Sequence, residues 1–318
     1  MKTVFFGSPA AALPALEALL AAGHTVELVV TQPDKPAGRG RRLVPSAVKT
    51  FAAERRIPVV TPAKIRTDED ARERIVAAGP DINVVVAYGQ IIPHAVHFFP
   101  PHHSMNVHFS LLPKYRGAAP VQWTVLNGDA ESGVTIIELS DRMDEGDILA
   151  WERVFLAPRE TASALEARLA GIGARLLVST LARIDGIPRI KQDDSLATLA
   201  PKIRKEDGRI VWFETAAAID RRVLALADRP GVFAIFRGKR LNIVRGHPVV
   251  TAGAVPSSPG PGPGPGTILA VGKAGLAVAC GAGTAYVVEE LQPEGKGTMS
   301  AHAFSLGTEF APGDSFGE

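Results

Sequence analysis

The stretch Asp81-Ile-Asn-Val-Val-Val86 is an almost continuous apolar run, and it decides the fold. Runs of this kind are typical of strands that a parallel sheet buries on both faces. Strand and helix patterns alternate ahead of it, at 3–6, 10–22, 26–30, 46–56, 59–60 and 69–78. This alternation predicts an α/β fold with a Rossmann-like, doubly wound parallel sheet, which binds ligands at the carboxyl ends of its strands.

The second half of the chain has a different pattern. From Gly208 the apolar segments are short, and one helical pattern over 216–227 interrupts them. The predicted strands are 209–212, 232–236, 240–245, 275–279 and 285–289. Five short strands and a helix favour a small open β-barrel. The predicted organisation is an α/β domain over 1–187, a linker over 188–206, a smaller barrel domain over 207–318, and an enlarged Gly/Pro-rich loop over 256–266.

Length and composition set further bounds. A chain of 318 residues is long enough for about two domains. No apolar run reaches the ~18–20 residues that a membrane span needs, and the apolar start leads into Gly7-Ser-Pro9 like a first strand rather than a signal peptide. The single cysteine, Cys280, excludes an internal disulfide and lies in an apolar run, which indicates a buried, inert thiol. These features favour a globular protein of the reducing cytoplasm.

Asn106 and His108 stand two residues apart in a short extended segment. Side chains of a strand alternate between its faces, so both point the same way while Val107 turns into the core. An amide donor beside an imidazole suits a reaction that builds negative charge on a carbonyl oxygen and moves a proton. Asp144 is the expected third member, a carboxylate that orients the imidazole and holds its charged form.

These residues belong to longer motifs. Asn106-Val-His108, Ser110-Leu-Leu-Pro-Lys-Tyr-Arg-Gly117 and Asp144 together resemble the signature of the 10-formyltetrahydrofolate-dependent formyltransferases. Segments elsewhere are similar to the members of that family that act on methionyl initiator tRNA, namely 4–9, 31–40, 87–93, 236–240 and 290–296. The resemblance covers nearly the whole chain. It implies transfer of a formyl group from 10-formyltetrahydrofolate to the α-amine of methionyl initiator tRNA, for translation initiation, and an OB-like C-terminal domain.

The resemblance also implies roles for individual residues. Asn106 donates to the oxyanion, His108 stabilises it or carries protons, and Asp144 holds His108. The expected folate pocket comprises Ser110, Leu111, Leu112, Pro113 and Gly117, with Tyr88 and Gly89 from the 87–93 segment. No serine or cysteine nucleophile is needed, because the amine of the acceptor is itself the nucleophile.

The charge distribution is uneven. Residues 1–201 have no net charge, whereas residues 202–245 carry 11 Lys and Arg against 5 Asp and Glu, a net charge of +6. Such a block is either a phosphate-binding surface or a solvated face. The loop 35–49 contains basic residues and no acid, and it follows the second predicted strand. The predicted tRNA contacts are Arg42, Arg41, Arg39, Lys35, Lys205, Lys239 and Arg240, and we expect a monomer.

Two kinds of cofactor are not expected. Gly7-Ser-Pro9 lacks the second and third glycines of the dinucleotide fingerprint, which argues against NAD or a flavin. The acidic run 141–147 does not follow the ligand order of a calcium loop. The histidines at 102, 103 and 108 have neither a cysteine partner nor helical spacing, so no metal site is predicted from them.

The sequence leaves two other functions open. Other folate-dependent formyltransferases, acting on a purine-biosynthetic amine or a nucleotide-linked aminosugar, would share Asn106, His108 and Asp144. A non-catalytic RNA-binding protein would explain the basic block and the barrel, although it has no use for the catalytic constellation. Consumption of 10-formyltetrahydrofolate only in the presence of charged initiator tRNA separates the three.

Overall fold

The chain forms two compact units. The computed structural model describes residues 1–37, 42–249, 263–308, 310 and 313–317. Unit 1 comprises Met1–Val121, Ala130–Leu156 and Ala164–Pro201. Unit 2 comprises Gln122–Asp129, Ala157–Ser163 and Lys202–Glu318. No helix in the described part of the chain is both long and apolar enough to cross a membrane.

Unit 1 is built around a seven-stranded sheet, with a hairpin and a short parallel pair beside it. Its strands are β1 (Lys2–Gly7), β2 (Thr25–Val30), β3 (Lys35–Ala37), β4 (Arg42–Val44), β5 (Val59–Val60), β6 (Ile82–Val86), β7 (Ser104–His108), β8 (Arg116–Gly117), β9 (Glu131–Glu138), β10 (Ile148–Phe155) and β11 (Leu199–Ala200). The helices up to residue 181 are α1 (Leu13–Ala21), α2 (Ala47–Glu54), α3 (Glu69–Ala77), α4 (His94–His97), α5 (Pro120–Asn127) and α6 (Ala162–Leu181).

The order of the large sheet is β10-β9-β7-β6-β1-β2-β5. Strands β5, β2, β1, β6 and β7 run parallel, whereas β9 is antiparallel to both of its neighbours. Counted along the chain, the five parallel strands stand in the order 3-2-1-4-5, which is the Rossmann order. The predicted α/β fold is therefore confirmed. The topological switch lies between β1 and β6.

Local chemistry sets the ends of the first helices. Helix α1 ends ahead of Gly23, whose φ of +80° is one that glycine adopts without steric cost. Ser46 and Asp68 are the N-caps of α2 and α3, and their side-chain oxygens accept hydrogen bonds from Lys49 N and Ala71 N. Such a cap stabilises a helix by about 1 kcal/mol.

The centre of the sheet is the core of unit 1. Every residue of β6 is buried, as its apolar run predicts. Each buried valine there contributes roughly 1.5–3 kcal/mol relative to an exposed one. Asn83 is the polar exception, and its amide donates to Val96 O and Ser104 Oγ, at 3.0 Å each. The amide nitrogen of this interior residue therefore ties β6 to β7 and to α4.

The segment 188–206, which the sequence predicts as a linker, divides between the two units. Residues 188–201 belong to unit 1 and 202–206 to unit 2. Ile190 exchanges two backbone hydrogen bonds with Ile148 of β10, at 2.8 and 2.9 Å, and β11 pairs in parallel with β8. Backbone groups that are paired in this way hold the segment to the sheet.

Unit 2 contains an antiparallel sheet, two helices of its own and most of α5. Its strands are β12 (Val232–Phe236), β13 (Lys239–Val249), β14 (Ile268–Gly272), β15 (Gly275–Ala279), β16 (Ala285–Pro293) and β17 (Met299–Ser300). Its own helices are α7 (Ala216–Leu226) and α8 (Ala301–Leu306). The order is β12-β13-β16-β15-β14, with β17 on β16. The prediction of a β-rich C-terminal domain is confirmed, but β14, β17 and α8 were not among the predicted elements.

Residues 313–317 join the two edges of this sheet. Gly317 N donates to Ile235 O of β12 at 2.9 Å, and Ile268 N of β14 donates to Asp314 O at 2.7 Å. The side chain of Phe316, between these contacts, is buried. The short segment therefore supplies the backbone partners that bring β12 and β14 into one closed arrangement, consistent with the predicted barrel.

The predicted strand 209–212 is wrong. Only Arg209 makes an isolated bridge, to Phe233 of β12. Trp212 packs its ring against Phe316, with centroids 5.1 Å apart, and its carbonyl accepts a hydrogen bond from Gly281 N. This stretch therefore contributes an aromatic contact to the core of unit 2, and it does not form a β-ladder with β12.

Two further predictions concern unit 2. Cys280 is buried, and burial raises its pKa to about 12, which agrees with the prediction of an inert thiol. Of the Gly/Pro-rich loop predicted over 256–266, residues 256–262 lie outside the described part of the chain.

Candidate active site

The predicted catalytic residues lie at the end of β7. Asn106 pairs in register with Val85 of β6 and with Ile137 of β9. Val107 turns to the opposite face, and Gly173 of α6 leaves room for it, because a Cβ there would stand 2.7 Å from Val107 Cγ1. The alternation of the strand therefore places the side chains of Asn106 and His108 together on the other face.

Asp144 completes the group. Its Oδ1 lies 3.4 Å from Asn106 Nδ2 and 3.8 Å from His108 Nδ1. Its Oδ2 accepts a hydrogen bond from Gly117 N at 2.8 Å. The side chains of His108 and Asp144 are only 6% and 12% exposed, so their mutual electrostatics are little screened by solvent. The structure brings together all three residues that the sequence singled out.

The surroundings of the His108 ring indicate its tautomer. Nε2 lies 2.9 Å from Tyr115 O, and a carbonyl can only accept, so Nε2 bears the hydrogen. Nδ1 is the ring atom near the Asp144 carboxylate. Its distance of 3.8 Å from Oδ1 exceeds hydrogen-bond range.

A partly buried hydrogen-bond network that the sequence did not predict holds the main chain of Asp144. The Gln192 amide donates to Asp144 O at 2.7 Å and to Gly146 O at 2.8 Å. Gln192 Oε1 in turn accepts from Arg116 Nε and Nη2, at 3.0 and 2.8 Å. Arg116 is buried and also contacts Asp194 Oδ1 at 2.7 Å. Gln192 lies in the stretch predicted as a linker, so nothing in its local sequence pointed to the site.

The predicted folate segment is fastened to β9. Thr135 Oγ1 donates to Ser110 O at 2.7 Å and accepts from Leu112 N at 3.1 Å. The Ser110 hydroxyl donates to Lys114 O at 2.6 Å, and the Leu112–Pro113 peptide bond is cis. These bonds fix the turn that follows the catalytic strand.

The leucines of this segment have different surroundings. Leu112 is buried in an apolar cluster with Ile137 and Ile148. Leu111 is half-buried and lies over Gly133, where a Cβ would stand 2.5 Å from Leu111 Cδ2. Leu112 therefore anchors the segment, and Leu111 is the leucine with surface left to offer a ligand.

Gly117 and Gly89 occupy positions that favour glycine. Gly117 has φ +128°, and a Cβ there would stand 2.6 Å from Ala200 O. Gly89 has φ +78°, and a Cβ there would meet Gln32 Nε2 at 2.6 Å. Gln32 Nε2 donates instead to Tyr88 O at 2.8 Å. Both predicted pocket glycines thus allow close approach of the backbone to a neighbouring segment.

The Tyr88 side chain lies in the core. It is 2% exposed and packs edge-on against Phe6, with ring centroids 5.5 Å apart. Burial raises the pKa of its phenol. Of this predicted pocket residue, only the main chain is available to a ligand.

The basic loop after β2 is carried by a hairpin. Strand β3 pairs antiparallel with β4, which matches Lys35 with Val44 and Ala37 with Arg42. Arg42 is exposed, and the Lys35 ammonium donates to Gln32 Oε1. Lys49 at the far end pairs with Asp34 at 2.7 Å. Arg39 and Arg41 lie outside the described part of the chain.

The cations of the +6 block in unit 2 have different surroundings. Arg222, Arg237 and Arg245 form ion pairs with acidic residues of the same unit, at 2.7 to 3.0 Å. The predicted contact Arg240 is half-buried, stacks 3.8 Å over the Phe233 ring and donates to Asn242. Within residues 202–245, all of which the structure describes, six exposed cations have no acidic side chain within ion-pair distance: Lys202, Arg204, Lys205, Arg209, Arg229 and Lys239.

Comparisons with known proteins agree with the motifs. Residues 1–181 match the family model described as formyl transferase, and residues 202–309 match the formyl transferase C-terminal domain. A protein of Geobacter sulfurreducens is 39% identical over all of this chain and 97% of its own length, and one of Solibacter usitatus is 42% identical over 100% and 99%. Both are named methionyl-tRNA formyltransferase. The chain belongs to the methionyl-tRNA formyltransferase family. This confirms the resemblance seen in the sequence.

Solved structures share the fold of this formyltransferase. A methionyl-tRNA formyltransferase from Clostridium thermocellum aligns with a TM-score of 0.58 over 77% of this chain and 92% of that one, at 17% identity. HypX from Aquifex aeolicus aligns with a TM-score of 0.63 over 99% of this chain, at 15% identity. The chain spans 49% of HypX, about half of its length. At these identities the likeness concerns the fold alone.

Proposed function

We propose that this enzyme transfers the formyl group of 10-formyltetrahydrofolate to the α-amino group of methionine esterified to initiator tRNA, for translation initiation. The observation that carries the proposal is the convergence of Asn106, His108 and Asp144 at the end of β7. The full-length relatives, which are named for this activity, support the choice of acceptor. We propose further that the protein acts as a monomer in the cytoplasm.

The chemistry is acyl transfer between two nitrogens. The free amine attacks the formyl carbon, which forms a tetrahedral intermediate with an oxyanion. The bond from carbon to N10 then breaks, and N10 leaves after it gains a proton. The amide of Asn106 donates to the developing oxyanion, and it is held for that task by Asp144 Oδ1 at 3.4 Å. Loss of one such donor lowers the rate by about 10²–10³.

The proton that the attacking amine loses must reach N10. His108 Nδ1 is the ring atom assigned to this transfer, since Nε2 is occupied by Tyr115 O. Asp144 stabilises the charged ring through its carboxylate, whose other oxygen is fixed by Gly117 N. The imidazole thus holds a proton at a defined atom between the two steps.

Donor and acceptor would be bound by different parts of the molecule. We assign the folate to the segment 110–113, Gly117 and the main chain of 88–89, which lie at or after strand ends. We assign the tRNA backbone to Arg42 and to the exposed cations of 202–239. Phosphate contacts of this kind make binding fall as salt rises.

The test measures consumption of 10-formyltetrahydrofolate by the purified protein with charged initiator tRNA, with uncharged tRNA and with small amines. Turnover is expected only with the charged tRNA. Asn106→Ala should lower kcat by about 10²–10³. The control is Asn242→Ala in unit 2, whose amide lies on a sheet surface and should leave kcat unchanged.

Two results would contradict the proposal. Formylation of a nucleotide-linked aminosugar or a purine-biosynthetic amine in preference to charged tRNA would reassign the acceptor. Wild-type turnover by a folded Asn106→Ala variant would remove Asn106 from the mechanism.

A further inference from the structure

Two histidines and an aspartate that formyl transfer does not use meet in unit 1. His94 and His97 stand three residues apart on α4, and Asp141 lies between β9 and β10. Asp141 Oδ1 is 3.0 Å from His94 Nδ1 and 3.2 Å from His97 Nε2. The three donor atoms all lie within 4.8 Å of one another. We call this group the His–His–Asp cluster.

The cluster combines one fixed member with two accessible ones. The His97 side chain is only 2% exposed, whereas those of His94 and Asp141 are 64% and 66% exposed. Phe98 stacks on the His94 ring, with centroids 4.3 Å apart and planes at 28°. Burial therefore restricts the His97 ring, while the exposed His94 and Asp141 leave one side of the cluster open to solvent.

We propose that His94, His97 and Asp141 bind one divalent transition-metal ion of the Zn²⁺, Co²⁺ or Ni²⁺ type. Two imidazole nitrogens and one carboxylate oxygen form a donor set that such ions prefer, whereas Mg²⁺ and Ca²⁺ prefer oxygen alone. In a tetrahedral site with bonds of about 2.0–2.2 Å, neighbouring donors stand roughly 3.3–3.5 Å apart. The two nitrogen–oxygen distances are close to that value, and rotation of the exposed His94 adjusts the third.

Both imidazoles already meet the Asp141 carboxylate. His97 Nε2 lies 3.2 Å from Oδ1, and His94 Nδ1 lies 3.0 Å from Oδ1 and 3.2 Å from Oδ2. Asp141 and two neutral imidazoles carry one negative charge, which a dication more than balances. A single ion can therefore replace these hydrogen bonds by three ligand bonds, and solvent can supply the fourth ligand.

The environment of His97 sets the expected affinity. Its Nδ1 is buried, and it has no hydrogen-bond partner among the described residues. Ligation through Nε2 puts the ring hydrogen on Nδ1, where tight metal sites normally provide an acceptor. An unsatisfied buried donor of this kind weakens binding by roughly 10- to 100-fold. We therefore expect an exchangeable ion with micromolar affinity.

The experiment uses the full-length protein without an affinity tag, after treatment with a chelator. Co²⁺ is titrated against the visible spectrum and Zn²⁺ by calorimetry. The expected result is one ion per chain, with a Kd on the order of 1–10 µM. Asp141→Asn and His94→Ala should each weaken binding at least about tenfold, since each removes a ligand. Both residues are exposed, so the variants should keep the thermal stability of the metal-free parent.

The matched control is His247→Ala. His247 Nδ1 lies 3.0 Å from Glu289 Oε1 in unit 2, so it forms a histidine–carboxylate pair that lacks a second histidine. This variant should bind metal like the parent. Failure of the parent to bind one ion per chain, or unchanged binding by Asp141→Asn, would overturn the proposal. Neither readout depends on formyl transfer, so the result is independent of the proposed function.

Discussion

Asp144 is positioned through its main chain as well as through its carboxylate. Its φ is +55°, a value that costs a residue other than glycine about 1–3 kcal/mol. Gln192 stabilises this strained backbone conformation by donating to the carbonyls of Asp144 and Gly146. Arg116 in turn orients the Gln192 amide. The sequence pattern identified Asn106, His108 and Asp144, but not Gln192 or Arg116. The Gln192 side chain binds the Asp144 carbonyl, 48 residues away in the chain, so no short sequence motif contains both residues.

Gln192→Ala should lower kcat by up to about 10²-fold, because displacement of a catalytic group by about 1 Å has that effect. The KM values for the folate and for charged tRNA should change little, since Gln192 contacts neither in the proposed site. Steady-state kinetics with each substrate varied in turn measure the two constants separately.

Gln292→Ala is the matched control for this prediction. Gln292 Nε2 donates to Lys296 O at 3.0 Å in unit 2, so it also fastens a backbone carbonyl, but one that is remote from Asp144 in the chain. The kcat of Gln292→Ala should equal that of the parent. If Gln192→Ala lost stability but kept full kcat, Gln192 would have a structural role only.

The hairpin of β3 and β4 gives the basic loop a defined base. The sequence predicted only a loop over 35–49, because two strands of three residues each give no strong apolar pattern. The structure also separates cations that the sequence could not distinguish. Lys49 is neutralised by Asp34, which lies just outside the acid-free stretch, whereas Arg42 at the start of β4 is exposed.

Arg42→Ala should raise the KM for charged tRNA several-fold more than the KM for 10-formyltetrahydrofolate. A lost phosphate contact should also reduce the dependence of log Kd on log salt concentration by about 1. Filter binding of charged tRNA at a series of salt concentrations measures this slope.

Lys49→Ala serves as the control, because its ammonium already has a carboxylate partner. Its salt dependence should match that of the parent. Equal effects of Arg42→Ala on both substrates would show that the hairpin is a solvated surface rather than a tRNA contact.

The two units are interleaved along the chain. Residues 122–129 and 157–163 precede the end of unit 1 but pack in unit 2. Arg159 Nη2 contacts Asp220 Oδ1 at 2.9 Å and Gly246 O at 2.6 Å. The sequence indicated two domains because the periodicity changes near Gly208, but a change in periodicity cannot reveal segments that return to another unit. A cut at residue 207 would therefore also strip unit 2 of packed segments.

Phe316→Ala should destabilise unit 2 by about 3–5 kcal/mol, as is typical when a buried phenylalanine is truncated. Phe316 is 5% exposed and packs against Trp212 and Phe236. Urea unfolding, followed by tryptophan fluorescence, measures the free energy of unfolding. Phe213→Ala is the control, since Phe213 is 67% exposed and its loss should cost little. Equal stabilities of the two variants would argue against closure of the sheet by residues 313–317.

The position of that closing segment has a consequence for biosynthesis. The carbonyl of Ile235 in β12 has its hydrogen-bond partner in Gly317, which is synthesised roughly 80 residues later. At ordinary rates of translation this delay is about 4–16 s. During that interval the edge of β12 at Ile235 lacks this partner, and unpaired strand edges are where nascent chains associate with one another. Ribosome-bound chains that stop short of residue 313 should therefore depend on a chaperone.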